Sequence, residues 1–238
     1  TAGYNLAQQS LGTLMMVVNL AAYPLAIQAL EQGGKEAARR QLSKNAIALF
    51  AIGLPAMVGL ALLAPNIADV VLGKAFRETA AALIPWIAFG VFLSCMRAYH
   101  LDLAFQLSQH TVGQIWVALG AAVVNLGLNL WWIPRLGLMG AAYATVVAYA
   151  VALGISLFLG RRLFSMPFPT KEAFKIGLAV AGMGGVLWPL RGFRGIGALV
   201  AQIACGVVVY GALILGFNVA TARTKVANVL KKGLREVV

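Results

Sequence analysis

Charge is what this sequence has least of. Asp, Glu, Lys and Arg make up only 11% of its 238 residues and hydrophobic residues 61%, against roughly 25% and 45–50% in an ordinary globular domain. A soluble domain of this length needs more charge to cover its surface, so the excess apolar surface must face something other than water, namely lipid. Carboxylates are scarcest, at seven, and no pair of them has the spacing of a general acid and base. The two histidines, His100 and His110, lack metal-ligand spacing. The two cysteines, Cys95 and Cys205, lie inside apolar runs with no CxxC spacing, which excludes a disulfide framework and predicts thiols packed in or against helices. No nucleophile triad, GxGxxG or Walker loop occurs in context. These absences argue against an enzyme, and neither a cofactor nor a metal is expected.

What is present is a series of long charge-free runs: Tyr4–Leu30, Asn45–Ala68, Thr79–Met96, Leu103–Pro134, Leu136–Gly160, Ile176–Leu190 and Gly195–Ala222. An apolar helix needs about 20 residues to cross a hydrocarbon layer about 30 Å thick, and most of these runs suffice. The shorter run from Ile176 is extended by Ala173 and Phe174 past Lys175, whose stem can snorkel. The runs are continuous and rich in Ala, Leu and Gly, without the alternation of a lipid-facing strand. The expected fold is therefore all-α, a polytopic bundle of about seven transmembrane helices near 8–30, 46–65, 80–100, 113–133, 138–159, 173–190 and 196–217.

The connections are short. Glu31–Gln41 is polar with a Gly33-Gly34 break, and reads as a short surface helix or a tight loop. Pro65-Asn66 is expected to end the second span, and Ile133-Pro134-Arg135-Leu136-Gly137 and Arg191–Gly195 to be turns. Met166–Thr170 is the one candidate linker, with Thr170 placed to cap the next helix. This divides the chain into five spans over 1–165, a final hairpin over 166–217 and a basic tail over 218–238. Thirteen basic residues, in the segments 35–44, 161–175 and 223–235, fall on one side of the spans, joined by Arg97. Lys74, Arg77, Arg135, Arg191 and Arg194 fall on the other. The positive-inside rule makes the first side cytoplasmic, so the first span enters from outside and the tail is cytoplasmic. The +12 charge is dispersed between apolar runs and reads as a topology signal and as contacts to anionic lipid, not as a nucleic-acid footprint. In the tail, apolar residues interleave with basic ones, as in an interfacial amphipathic helix, with a disordered tail as the other reading.

Polar residues within spans carry most of the information, because burying them without a partner costs several kcal/mol. Gln8 and Asn19 recur on the first span with Gly12 and Ala22 at spacings that share a broad face; they either join helices or line a polar cavity. Asn125 and Asn129, four apart, share a face of the fourth span, where interhelical hydrogen bonding is the plainer reading. Arg97, His100 and Asp102 form the nearest thing to a charged constellation, with Arg97 and His100 on one helical face. A structural ion pair at headgroup level and a contact to substrate phosphate or a proton are the two readings. His110 reads as solvated. Abundant glycines, with Pro24, Pro55 and Pro85 inside spans, suggest kinked helices that approach closely.

The order of these features resembles the C-terminal part of the polysaccharide biosynthesis family, the lipid-linked oligosaccharide flippases of the multidrug/oligosaccharidyl-lipid/polysaccharide exporter superfamily. The stretches that carry the resemblance begin with Tyr23-Pro24-Leu25-Ala26-Ile27-Gln28-Ala29-Leu30, a polar loop with Arg39-Arg40, and Gly53-Leu54-Pro55-Ala56. They continue through Leu62-Leu63-Ala64-Pro65 and Val71-Leu72-Gly73 to the block from Asn125-Leu126-Gly127-Leu128-Asn129 through Trp131-Trp132-Ile133-Pro134-Arg135 to Gly140-Ala141-Ala142-Tyr143-Ala144-Thr145. The resemblance implies a fourteen-helix exporter of which these spans are the eighth to fourteenth, with an N-terminal lobe missing, as the opening on Thr1 also suggests. It implies translocation of undecaprenyl-diphosphate-linked repeat units across the bacterial inner (cytoplasmic) membrane by alternating access, for O-antigen, capsule or exopolysaccharide synthesis. The implied partners are the lipid-linked oligosaccharide, anionic membrane lipids, the missing lobe and a polysaccharide polymerase. On this reading Gln8, Asn19, Asn125 and Asn129 line the cavity, and Arg97, His100 and Asp102 make headgroup or ion-pair contacts. The spans hold almost no buried base for a diphosphate, a departure from the family's cationic cavity. A drug/cation antiporter of the same superfamily and a non-catalytic membrane assembly component are the alternatives.

Overall fold

Backbone amides inside a bilayer have no water to bond, so a long apolar segment satisfies them along its own helix. The computed structural model describes residues 2–221, 223 and 224, and among them it is helical with no strand. Six helices are long and apolar enough to cross a membrane: α1 (Ala2–Val71), α2 (Arg77–Met96) with its continuation, α4 (Val112–Leu136), α5 (Leu138–Leu163), α6 (Thr170–Leu190) and α7 (Ile196–Gly216). A short helix α3 (Leu103–Leu107) follows α2 after a five-residue π-turn, Arg97–Leu101. The protein is an all-helical, membrane-embedded bundle. Most of the basic tail, with Lys225, Lys231, Lys232 and Arg235, lies outside the described residues, and so does the interfacial helix expected there.

The seven expected spans fall on these six helices, because the first two are the two arms of α1, which breaks at Gly34. Seventy residues of straight helix would extend about 105 Å. Instead the helix is folded on itself at Gly34, whose φ of 66° and ψ of −167° are non-helical. The side-chain amide of Asn45 donates to the Ala22 carbonyl at 2.9 Å, and Met15 packs against Gly53. Both pairs are centred on residues 33 and 34, so arms 2–33 and 35–71 run antiparallel. Gly34 supplies a backbone conformation that a side chain disfavours. At Gly33, a Cβ would lie 2.6 Å from that of Ala37.

The two arms form the platform for the rest. Leu11, Met15, Leu49 and Leu63 pack with Ile84 and Phe92 of α2. Helix α2 in turn packs on α5, and α5 on α4, so α4 is outermost, with Val117 its one buried residue. The α6–α7 pair docks on the second arm: Ile176, Val180, Met183 and Leu187 meet Ile47, Leu54, Val58 and Leu62, and the Tyr210 hydroxyl donates to the Ala51 carbonyl at 2.7 Å. Outward-facing Leu, Val, Ile, Phe and Trp side chains, such as Leu130, Trp116, Val207 and Ile196, are more than half exposed, as lipid contact requires.

Three boundary expectations change for tertiary reasons. Pro65-Asn66 does not end the second arm, which continues to Val71. Asn66 is fully buried there, its amide donating to Gln202 Oε1 at 2.8 Å while its Oδ1 accepts from the Gly195 amide at 2.9 Å. Gln202 also donates to the Leu190 and Phe193 carbonyls. A satisfied network of this kind outweighs the single backbone bond that the proline removes. The expected turn at 133–137 shrinks to Gly137, at φ 57°, since α4 holds Pro134 in its last turn. Thr170 makes no side-chain cap: it is already helical, and the Pro169 carbonyl accepts the first helical bond, from Ala173. The turn at 191–195 and the non-helical segment at 165–169 are present as expected.

Two substitutions test this packing. A Cβ at Gly140 would lie 2.5 Å from the Trp132 carbonyl oxygen, so Gly140→Ala is expected to destabilise the α4–α5 hairpin by about 1–3 kcal/mol, lowering the thermal midpoint in detergent. Gly127→Ala, with nothing within 4 Å, is expected to leave it unchanged. Asn66→Leu strips Gln202 and the Gly195 amide of partners and is expected to cost about 2–4 kcal/mol, read as earlier proteolysis of the α6–α7 pair.

Candidate functional site

A polar concavity interrupts this apolar bundle, and it is built around the π-turn. The Asp102 amide donates to the Arg97 carbonyl at 2.8 Å, an i to i+5 bond that widens the helix by one residue. Such turns concentrate at functional sites. Tyr99 lies within it, Asp102 closes it, and Leu103 and Gln106 follow in α3. Together with Asn19 and Tyr23 of the first arm of α1, Ala98, and Gln114 in the first turn of α4, they line a pocket of about 400 Å³. Six of its eight lining residues carry a polar group. The pocket between Leu54, Val58, Trp188 and the glycines of α6, and the one between Ser10, Pro55, Met183 and Tyr210, are predominantly apolar.

Asp102 ties three elements together at this pocket. Its carboxylate is buried, accepts a 2.6 Å hydrogen bond at Oδ1 from Ser156 Oγ of α5, and has Arg97 Nη1 3.7 Å from Oδ2. Its backbone carbonyl accepts from Gln114 Nε2 at 3.2 Å. Close packing of α5 makes this possible: a Cβ at Gly160 would sit 3.6 Å from the Leu101 carbonyl. The Arg97–Asp102 distance is long for a charge-assisted hydrogen bond, and Arg97 Nε is buried without a partner. The pair is a loose ionic contact, while Ser156 makes the tight one.

Asn19 and Asp102 are thus brought together, with Arg97 beside them. The expectation that Arg97 and His100 share a face is corrected. In the wider π-turn, residues three apart no longer stack. His100 is buried, makes no hydrogen bond of full geometry, and has the Pro167 backbone as its polar neighbour. Nor do the four expected cavity residues gather. Gln8 is exposed on the first arm, eleven residues and about 16 Å of helix from Asn19. Asn125 and Asn129 lie about 16–22 Å along α4 from Gln114, where Asn129 donates to Asn125 Oδ1 at 2.8 Å. Asn129 Oδ1 is buried and unpartnered. His110 is exposed, with Nδ1 2.8 Å from the Ser108 carbonyl. Tyr23, Tyr99, Gln106, Gln114 and Ser156 were not singled out by the sequence reading. The spacing of Asp102 and Gln106, four apart, was a usable signal; Tyr99 and the partners on α1, α4 and α5 had none.

Chemically, the pocket offers amide and phenol groups and one carboxylate, which suits hydrogen bonding to a hydroxyl-rich or otherwise polar ligand. Among the described residues no group of three His, Cys, Asp or Glu side chains is placed to hold a metal ion. Removing one member of the central pair leaves the other charge buried. Asp102→Ala is expected to cost about 3 kcal/mol, and the double change Arg97→Met/Asp102→Leu distinctly less, as a double-mutant cycle on thermal unfolding would read. A double-variant cost equal to the sum of the two single costs would show that the pair contributes nothing. In comparisons with known proteins, no family model matches the chain and no curated protein matches it.

Proposed function

We propose that this chain is the C-terminal half of a transporter that moves undecaprenyl-diphosphate-linked oligosaccharide repeat units across the bacterial cytoplasmic membrane by alternating access. The observation that carries this reading is the hydrogen-bonding pocket formed by Asn19, Tyr23, Tyr99, Asp102, Gln106 and Gln114 inside an otherwise apolar bundle. A polar hollow at membrane depth is energetically costly, and it is retained where it serves a polar cargo or an ion path. It also lies toward the end of the bundle that carries Lys35, Arg39, Arg40, Arg161, Arg162 and Lys171. That end is cytoplasmic by the positive-inside rule, where a lipid-linked repeat unit would be loaded. Amides and phenols suit the sugar hydroxyls. The diphosphate requires cations, which on this reading come from the N-terminal lobe of the same protein or from Arg97 at the rim. Anionic lipids would contact the basic end, and a polysaccharide polymerase would receive the product.

The drug/cation antiporter reading gains one specific observation, since Asp102 is a buried carboxylate and not an exposed one at a span end. Export assays separate the two. Expression of the full-length protein in a flippase-null strain is expected to restore surface polysaccharide and clear lipid-linked repeats from the cytoplasmic leaflet. Asn19→Ala, Tyr99→Ala and Gln114→Ala are each expected to lower export about three- to tenfold, the worth of one lost hydrogen bond, with membrane insertion unchanged. Equal loss of export and insertion would make these residues structural. Failure of a well-inserted protein with several donor repeats, together with resistance to cationic drugs, would favour the antiporter.

A further inference from the structure

Asp102 is more than a lining residue, because the same two residues close the π-turn twice. The Arg97 carbonyl holds the Asp102 amide at 2.8 Å, and the Arg97 guanidinium faces the Asp102 carboxylate at 3.7 Å. One backbone bond and one ionic contact therefore span the same five residues. The ionic contact depends on the carboxylate's charge, as does the full strength of the Ser156 hydrogen bond to α5, whereas the backbone bond does not. The pocket gives the carboxylate a path to water.

We propose that Asp102 is a reversible proton-binding site, and that loading it unlocks the π-turn from α5. A proton passes from pocket water to Oδ2, the oxygen facing Arg97, and leaves hydroxide or buffer base behind. The carboxyl is then neutral. Arg97 loses its counter-charge and turns toward the open end of the pocket, and Ser156 keeps only a weaker bond to Oδ1, now a carbonyl oxygen. Gln114, which donates to the Asp102 backbone carbonyl, passes the change to the start of α4, so three helices respond to one proton.

The surroundings fit a single titrating carboxylate. Among the described residues Arg97 is the one cation in contact with it, by an ion pair longer than the other three described, all of which are 3.2 Å or shorter. The first arm of α1 contributes Asn19 and Tyr23 to the pocket, the α2–α3 continuation Tyr99 and Gln106, and α4 Gln114. Helix α5 contributes Ser156. His100 shares the turn but is turned toward Pro167. None of the facing groups other than Arg97 carries charge at neutral pH. The lock is a property of the bundle itself and does not depend on which cargo it carries.

The test uses the purified full chain in lipid vesicles, titrated from about pH 4 to about pH 9, across and above the ordinary carboxylate range. Infrared difference spectra are expected to show a protonated-carboxyl band that Asp102→Asn removes and Ser156→Ala shifts. Cys95, buried two residues before the π-turn, reports the conformational half once Cys205 is replaced by Ala. Divided by the rate of the Asp102→Asn variant at the same pH, which cancels the fall in thiolate common to both, its rate of modification by a small thiol reagent is expected to rise at least about threefold on acidification, a shift of under 1 kcal/mol in the opening equilibrium. In Asp102→Asn the rate is expected to follow the thiolate fraction alone and to exceed that of the wild type at neutral and high pH. A carboxyl band unchanged by Asp102→Asn overturns the binding site. A Cys95 rate that is the same in the wild type and in Asp102→Asn at every pH overturns the lock. If Asp102→Asn does not insert, Ser156→Ala carries the same test, since an unshifted band and an unaltered rate in that variant reject the proposal.

Discussion

The reversal of α1 at Gly34 is the constraint on which the remainder of the bundle rests. A straight helix of that length has nowhere to go in a bilayer, and an open loop at the same point would have to satisfy its own backbone groups. Two adjacent glycines solve both problems, one by taking up a left-handed φ and the other by leaving room for Ala37. The arms then lie side by side, with Asn45 bonded across to Ala22, and together present two faces. One receives α2, and through it α5 and α4. The other receives α6 and α7.

This division assigns different duties to the polar side chains. On the α6–α7 side, Asn66 and Gln202 are buried and fully engaged in joining the second arm to the turn after Leu190. They spend their hydrogen-bonding capacity on the fold. On the α2–α5 side, polar groups cluster without saturating one another: Asn19, Tyr23, Gln106 and Gln114 surround open volume, and the Arg97–Asp102 pair is loose. Unspent hydrogen-bonding capacity around a hollow is what separates a binding site from structural glue, and this contrast within one chain underlies the functional reading. The π-turn enlarges the contrast, since it sends Asp102 toward the pocket and α5 while His100 turns toward Pro167.

Part of the candidate site was legible beforehand. Asp102 and Arg97 stood out because charges are rare in the spans, and Asn19 because an amide in an apolar run needs a partner. Ser156 and Gln114 did not stand out, because an isolated Ser or Gln near a helix end is common and has meaning only through what it touches. Gln8, Asn125 and Asn129 looked equivalent to Asn19 on the same reasoning. Their distance along the helices separates them from it, and Asn125 and Asn129 partner each other.

By itself the sequence determined the solvent, the element type and the approximate spans, because the length and apolarity of a segment suffice to set its cost of transfer into lipid and to require a helix there. It also distributed the basic residues between the two ends of those spans. Only the tertiary structure decided that the first two spans pack as an antiparallel pair about a break at Gly34, that Pro65 lies inside an arm, that Arg97 and His100 diverge, and which amides meet around Asp102. Those outcomes depend on contacts between residues up to about 140 positions apart, such as Asn66 with Gln202 and Asp102 with Ser156. Local composition carries no record of such contacts, because each is formed by helices whose mutual placement is set by packing along their entire length.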